Sequence, residues 1–169
     1  VVYGFFGLVV LVPFIRANLG GTGASVLCAS IVLGIMILPT IITLSESALK
    51  AVPQSYYEGA LALGADHERS VMRVVLPAAV SGIMASIILA IGRAIGETMA
   101  VIMVAGNQVQ LPTAITEGVR TMTANIVLEM GYAADLHRGA LIGTACVLFV
   151  FILIINFSFA AIKKRSNNG

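Results

Sequence analysis

The stretch YEGALALGADHERSVMRVVLP, residues 57–77, is a polar passage between segments that are apolar enough to lie in lipid. Of the 169 residues, 59% are hydrophobic and only 11% are charged, which is far too apolar for an ordinary soluble domain. The sequence therefore predicts an all-α integral membrane protein, a bundle of spanning helices built around this passage. The net charge of +2 comes from dispersed basic residues and gives no indication of nucleic-acid binding.

The passage itself predicts two short helices joined by a tight turn. Tyr57, Leu61 and Gly64 recur at helical spacing and give the first helix one apolar stripe. Gly64 is free to adopt a positive φ, and Asp66 can cap a second helix from about residue 67 to residue 76. Such a hairpin forms a compact knob, and the alternative is a plain linker between two spans.

Four segments with few or no charges predict four spans within a single transmembrane domain over residues 1–169. The first is shorter than the roughly 20 residues that a span needs, so we expect a truncated helix and a chain that is the C-terminal part of a longer protein. The four segments are residues 1–15, 24–44, 78–105 and 139–162.

The two long connections are residues 45–77 and residues 106–138, and a short tail follows at residues 163–169. Helical spacing within the second connection predicts an amphipathic helix. The residues that carry this spacing are Ile115, Val119, Met122, Ile126 and Met130.

Basic residues are divided unequally between the two sides of the expected membrane. If the spans alternate in direction, the side that holds residues 45–77 and the tail carries Lys50, Arg69, Arg73, Lys163, Lys164 and Arg165. The other side carries Arg16, Arg120 and Arg138. The positive-inside rule therefore predicts a cytoplasmic 45–77 loop, a cytoplasmic C-terminus and an external 106–138 loop.

The third span carries two charges, Arg93 and Glu97. A charge near the middle of a bilayer costs from about 2.5 to above 10 kcal/mol, so it normally faces a partner or a wet cavity. At positions i and i+4 of one helix, these two side chains could pair with each other. Two interpretations stay open: a structural salt bridge, or a translocation path in which the guanidinium meets an anion while the carboxylate keeps the empty site neutral.

The polar passage resembles the EAA loop of bacterial ABC-importer permeases, which has the pattern E-A-A, three residues, G, nine residues, I-x-L-P. Gly59 stands where the pattern has its first Ala, and Val74 stands where it has Ile. The resemblance implies a MetI-like helical bundle in the inner membrane, with a cytoplasmic loop that couples to an ATP-hydrolysing subunit. The coupling residues it implies are Glu58, Gly59, Ala60, Gly64, Leu76 and Pro77.

Three further segments resemble one permease family, the phosphate importers of the PstC type. They are VVYGFFG at residues 1–7, GRAIGETMAVIMVAGN at residues 92–107 and VRTMTANIVLEMGYA at residues 119–133. This resemblance implies that Arg93 and Glu97 belong to a phosphate path, with Arg120 as a weaker candidate. The partners it implies are a dimer of ATP-binding subunits, a second permease subunit of the PstA type, an external phosphate-binding protein and the lipid bilayer.

We expect no enzymatic activity from the chain itself. A phosphate-binding P-loop needs a Gly-Lys pair, and the sequence contains none. Cys28 and Cys146 lie in separate apolar runs without metal-ligand spacing, so neither a metal nor a cofactor is expected. The alternatives are a permease for another oxyanion, such as sulfate or molybdate, and an ATPase-independent channel or secondary carrier.

Overall fold

A computed structural model describes residues 1–166, so residues 167–169 of the predicted tail lie outside the described residues. Over the described range the chain is helical, apart from loops and one isolated β-bridge between Gly106 and Val119. The all-α membrane architecture is therefore confirmed. The helical stretches are α1 (Val2–Leu19), α2 (Val26–Lys50), α3 (Gln54–Ala62), α4 (His67–Ile95), α5 (Met99–Val104), α6 (Met122–Met130) and α7 (Asp135–Ser166).

Helices α1, α2, α4 and α7 are long and apolar enough to cross a membrane, which is the predicted number of spans. Their bounds differ from the predicted ones because helices extend beyond the uncharged segments. Helix α1 reaches Leu19, and α7 already begins at Asp135. A charged residue near a helix end can lie at the lipid surface without interrupting the helix.

Two of these long helices contain a π-helical turn next to a proline. In α1 the turn covers Gly7–Leu11 and precedes Pro13, and in α4 it covers Val71–Val75 and precedes Pro77. Proline lacks an N–H, and its ring clashes with the carbonyl four residues earlier. A local π turn is one of the adjustments by which a membrane helix accommodates this defect.

The expectation that the second helix of the polar passage ends near Leu76 is wrong. The helix that begins at His67 continues through the π turn and past Pro77 to Ile95, a stretch of 29 residues. The π turn accommodates the hydrogen bond that Pro77 cannot donate, so the proline does not end the helix.

The expectation that residues 78–105 form one uninterrupted helix is also wrong. Helix α4 ends at Ile95, residues 96–98 are not helical, and α5 begins at Met99. Gly96 favours such a break because glycine loses more conformational entropy than other residues when it is fixed in a helix. The Glu97 carboxylate then accepts a hydrogen bond from the Ala100 backbone N–H at 3.1 Å, which satisfies one of the free amides at the start of α5.

Contacts divide the chain into two compact units, of which the first combines Val1–Met36 with Arg93–Ile155. Its core lies where α5 packs against α1 and the first half of α2. Two glycines of α1 permit close packing there: a Cβ on Gly4 would lie 2.7 Å from Ala100 Cα, and a Cβ on Gly7 would lie 2.6 Å from Val32 Cγ2. The buried core residues are Val12, Ile15, Cys28, Ala29, Val32, Ala100, Val101, Val104 and Ala105.

The second unit combines Ile37–Gly92 with the described residues from Asn156 to Ser166. Within it, α2 and α4 contact each other through small residues. A Cβ on Gly82 would lie 2.7 Å from Ala48 Cβ, and the hydroxyls of Ser45 and Ser86 share a hydrogen bond of 2.9 Å. Gly82 and Ser86 of α4 therefore face α2, in agreement with the preference for small residues where membrane helices pack closely.

Substituting Gly7 with Ala should destabilise the first unit. The added methyl would enter the space occupied by Val32 and Val104, and overpacking of this kind costs about 1–3 kcal/mol. The measurement is unfolding of the detergent-solubilised protein. Gly143→Ala is the matched control, because its Cβ would meet no atom within 4 Å. Equal stability of the two variants would contradict the packing described here.

Candidate functional site

The polar passage folds as a helical hairpin, which we call the coupling hairpin and define as residues 54–75. Its turn contains Gly64, whose φ is +82°. The Asp66 carboxylate accepts a hydrogen bond from the Arg69 backbone N–H at 2.8 Å and caps the second arm. The predicted roles of Gly64 in the turn and of Asp66 at the cap are therefore confirmed.

Two side-chain contacts that the sequence did not reveal order the hairpin, one between its arms and one within the second arm. The Tyr57 hydroxyl and His67 Nδ1 are 2.9 Å apart, and the two rings meet edge to face. The Ser70 hydroxyl is buried and donates to the Asp66 carbonyl at 2.8 Å. The Tyr57–His67 pair depends on the angle at which the arms return, and a spacing of ten residues gives no signal of it.

The candidate coupling residues lie at two places. Glu58 and Gly59 are exposed on α3, and Gly64 is exposed at the turn. Ala60 is buried between the arms, and its carbonyl accepts a hydrogen bond from the Ala65 N–H at 3.1 Å. Leu76 and Pro77 instead lie at the far end of the second arm, where the π turn returns to α-helix.

One face of the coupling hairpin forms an open groove of about 480 Å³. Tyr56 and Gly59 of the first arm, Leu63 at the tip, and Arg69 and Arg73 of the second arm are among its lining residues. Leu63 is 91% exposed, so the tip presents an apolar side chain to its surroundings. The hairpin therefore offers an apolar surface with two basic side chains.

Arg93 and Glu97, which could have paired on one helix, form no ion pair with each other among the described side chains. Arg93 is exposed in the last turn of α4 and has no ion-pair partner among the described side chains. Glu97 is half-buried beyond the helix end, where it caps α5. The interpretation of the two residues as a structural salt bridge therefore lacks its required contact among the described side chains. Arg93 precedes the break at residues 96–98, and Glu97 lies within it.

Arg120 is held by contacts that the sequence did not indicate. Its guanidinium forms an ion pair with Glu129 at 2.8 Å and donates to the Asn107 carbonyl at 3.1 Å. A longer contact of 3.5 Å reaches the Asn125 side chain. These bonds fix Arg120 between the loop and α6, which favours a structural role for it.

The connection over residues 106–138 is ordered by the start of α2. The N–H groups of Val26 and Leu27 donate to the carbonyls of Glu117 and Ile115, each at 2.9 Å. The first turn of a helix has no internal partners for these groups, so the loop supplies them. The expected amphipathic helix is consequently shorter than predicted and covers only Met122–Met130, because the backbone near Ile115 bonds to α2 instead.

The turn within this connection is closed by Glu117. Its carboxylate accepts hydrogen bonds from the Thr113 N–H at 2.7 Å and from the Thr113 hydroxyl at 3.0 Å. The backbone bond first, and the hydroxyl second, lower the pKa of Glu117 below its ordinary value. A lowered pKa in the folded state means that this support is present at neutral pH and is lost as the pH falls through the lowered value.

The chain is similar in sequence to a known protein family and to named proteins. The family described as "Binding-protein-dependent transport system inner membrane component" matches residues 1–168. The chain is 42% identical to the "Probable ABC transporter permease protein YqgH" of Bacillus subtilis, over 93% of the chain and 53% of that protein.

Two further relatives are named "Phosphate transport system permease protein PstC". The one from Xylella fastidiosa is 36% identical over 99% of the chain and 59% of its own length. The one from Mesorhizobium japonicum is 33% identical over 92% of the chain and 54% of its own length. The chain thus spans little more than half the length of these curated relatives, and no solved structure matches it.

Replacing Arg120 with Gln should lower the stability of the folded protein. The variant loses the ion pair to Glu129, and hydrogen bonds to charged groups contribute about 1.5–3 kcal/mol each. Thermal unfolding in detergent measures the loss. Arg138→Gln is the control, because Arg138 is an exposed arginine in the first turn of α7. If Arg120→Gln keeps wild-type stability while transport fails, Arg120 belongs to the substrate path instead.

Proposed function

Because the chain belongs to the family of binding-protein-dependent transport system inner membrane components, we propose that it is part of a permease subunit of an ATP-driven importer. The observation that carries this proposal is the coupling hairpin. A polar hairpin of defined shape between two apolar helices is suited to receive force from another protein. An autonomous channel or carrier would leave the spacing of Glu58, Gly64 and Pro77 unexplained.

The coupling hairpin is proposed as the contact with the ATP-binding subunits. Glu58, Gly59 and Gly64 are exposed and accessible to a partner, whereas Ala60 holds the arms together from inside. Leu76 and Pro77 act at the other end, where the second arm becomes the membrane helix. The hairpin and the C-terminus would lie in the cytoplasm and the 106–138 loop outside, as the distribution of basic residues indicates.

The translocation path is proposed to pass the break between α4 and α5. Non-helical backbone within a membrane is tolerated only where it is buried in protein or lines a wet cavity. Arg93 precedes this break and forms no ion pair with the side chains that the structure describes, and Glu97 lies within the break. A guanidinium with several N–H donors is suited to a tetrahedral oxyanion, and the nearby carboxylate limits the charge of the empty path.

Inorganic phosphate is the proposed substrate. The support is that two relatives are named phosphate transport system permease proteins, together with the Arg93 guanidinium, which forms no ion pair within the described part of the chain. The complete machine would also need a second permease subunit, a dimer of ATP-binding subunits and an external phosphate-binding protein. In the proposed cycle, ATP draws the coupling hairpins together, the membrane helices open outward to accept phosphate, and hydrolysis returns them inward.

Substituting Gly64 with Asp should abolish coupling. A negative side chain at the exposed turn would meet the ATP-binding subunit, while inside the chain a Cβ there meets no atom within 4 Å. Copurification of the ATP-binding subunit with the full-length permease measures the contact, together with uptake of labelled phosphate in cells. Gly64→Asn is the matched control, because it has nearly the same size and tolerates positive φ without adding charge. Normal uptake by Gly64→Asp would contradict the docking role.

Substituting Arg93 with Gln should reduce phosphate uptake about tenfold or more, the range expected for losing a hydrogen bond to a charged group. Assembly should be unaffected, since Arg93 has no ion-pair partner among the described side chains. Arg93→Lys is the control that keeps the charge. Excess sulfate or molybdate in the same assay tests the alternative cargoes. Loss of assembly in Arg93→Gln would indicate a structural role.

A further inference from the structure

We propose that the groove of the coupling hairpin receives a bulky apolar side chain of the ATP-binding subunit, flanked by a carboxylate that pairs with Arg69 and Arg73. The inference rests on the proposed function, because it names the chemistry of the partner at that same hairpin. It adds that the hairpin binds a side chain of the partner in its groove, in addition to presenting its own tip to that partner.

The room for an apolar side chain comes from Gly59. This residue is exposed on α3, and a Cβ built on it would meet no atom of the chain within 4 Å. The missing side chain therefore adds open space to the groove, where the EAA pattern would place an alanine methyl. Tyr56 and Val74 border the same groove of about 480 Å³, and this volume exceeds that of any single side chain.

The charge of the groove indicates the second part of the partner. Arg69 and Arg73 lie one helical turn apart on the second arm, so their side chains project from the same face. Neither guanidinium forms an ion pair with the side chains that the structure describes. The acidic residues of the hairpin, Glu58, Asp66 and Glu68, are absent from the groove lining.

An apolar groove beside two unpaired arginines selects a partner that combines an apolar anchor with a carboxylate. Arginine binds a carboxylate through two parallel hydrogen bonds, which fixes orientation as well as adding affinity. The apolar anchor would supply most of the affinity, as buried anchors do in protein interfaces. Because Gly59 departs from the family pattern, the groove would also help this permease to select its own ATP-binding subunit.

The test is a titration of the full-length permease, in lipid nanodiscs, with the purified ATP-binding subunit. Gly59→Leu should weaken binding about tenfold or more, because the leucine fills the space meant for the partner. The hairpin itself should remain intact, since leucine is a better helix former than glycine. Gly139→Leu is the matched control, because Gly139 also has open space around its Cβ but lies outside the hairpin.

The charged half of the proposal has its own variants. The double reversal Arg69→Glu with Arg73→Glu should weaken binding and remove most of its salt dependence, because attraction between exposed charges is screened by salt. Glu68→Arg is the control, an exposed reversal on the same helix outside the groove lining. A reversal that leaves affinity and salt dependence unchanged would overturn the carboxylate assignment.

The outcomes separate this inference from the proposed function. If the wild-type permease binds the ATP-binding subunit and Gly59→Leu binds it equally well, the groove is not an acceptor, although the hairpin still couples. If the wild-type permease does not bind the ATP-binding subunit, the proposed function fails and the inference fails with it. Weaker binding by both groove variants, with both controls unchanged, supports the inference.

Discussion

Backbone hydrogen bonding in lipid is the constraint on which the rest of this structure depends. A peptide group within a bilayer finds no water, so it must bond inside the protein. The constraint accounts for the four long helices and for the π turn ahead of Pro13. The break at residues 96–98 is the place where helical bonding is interrupted beside two charged residues, which is why we connect it with transport.

The coupling hairpin is continuous with one of the four long apolar helices. Helix α4 begins as the second arm of the hairpin and continues without interruption from His67 to Ile95. At about 1.5 Å per residue, its 29 residues extend over roughly 43 Å. Within the second unit, the second arm of the hairpin and the apolar stretch that follows it as far as Gly92 therefore form one continuous helix. In the proposed transport cycle, movement of the hairpin has to reach the long apolar helix. The π turn at Val71–Val75 keeps the two parts continuous despite Pro77.

The sequence predicted those features that depend on residues close to one another along the chain. The number of spans followed from apolar length, and the hairpin followed from Gly64 and Asp66, because a positive φ and a helix cap each involve residues close in sequence. The break after Ile95 was missed, since an apolar run reads as continuous unless the capping bond from Ala100 to Glu97 is known. The contacts of Arg120 were missed for another reason. Its partners lie nine and thirteen residues away, and no periodicity relates them.

The measurement that tests the central claim most directly is phosphate accumulation in proteoliposomes. The vesicles would contain the full-length permease, its second permease subunit and the ATP-binding subunits, with the external phosphate-binding protein supplied on the opposite side. Our account predicts that labelled phosphate accumulates against its gradient only when ATP is present and the binding protein is supplied. Accumulation without ATP, or uptake driven by an ion gradient alone, would contradict it and indicate a channel or a secondary carrier.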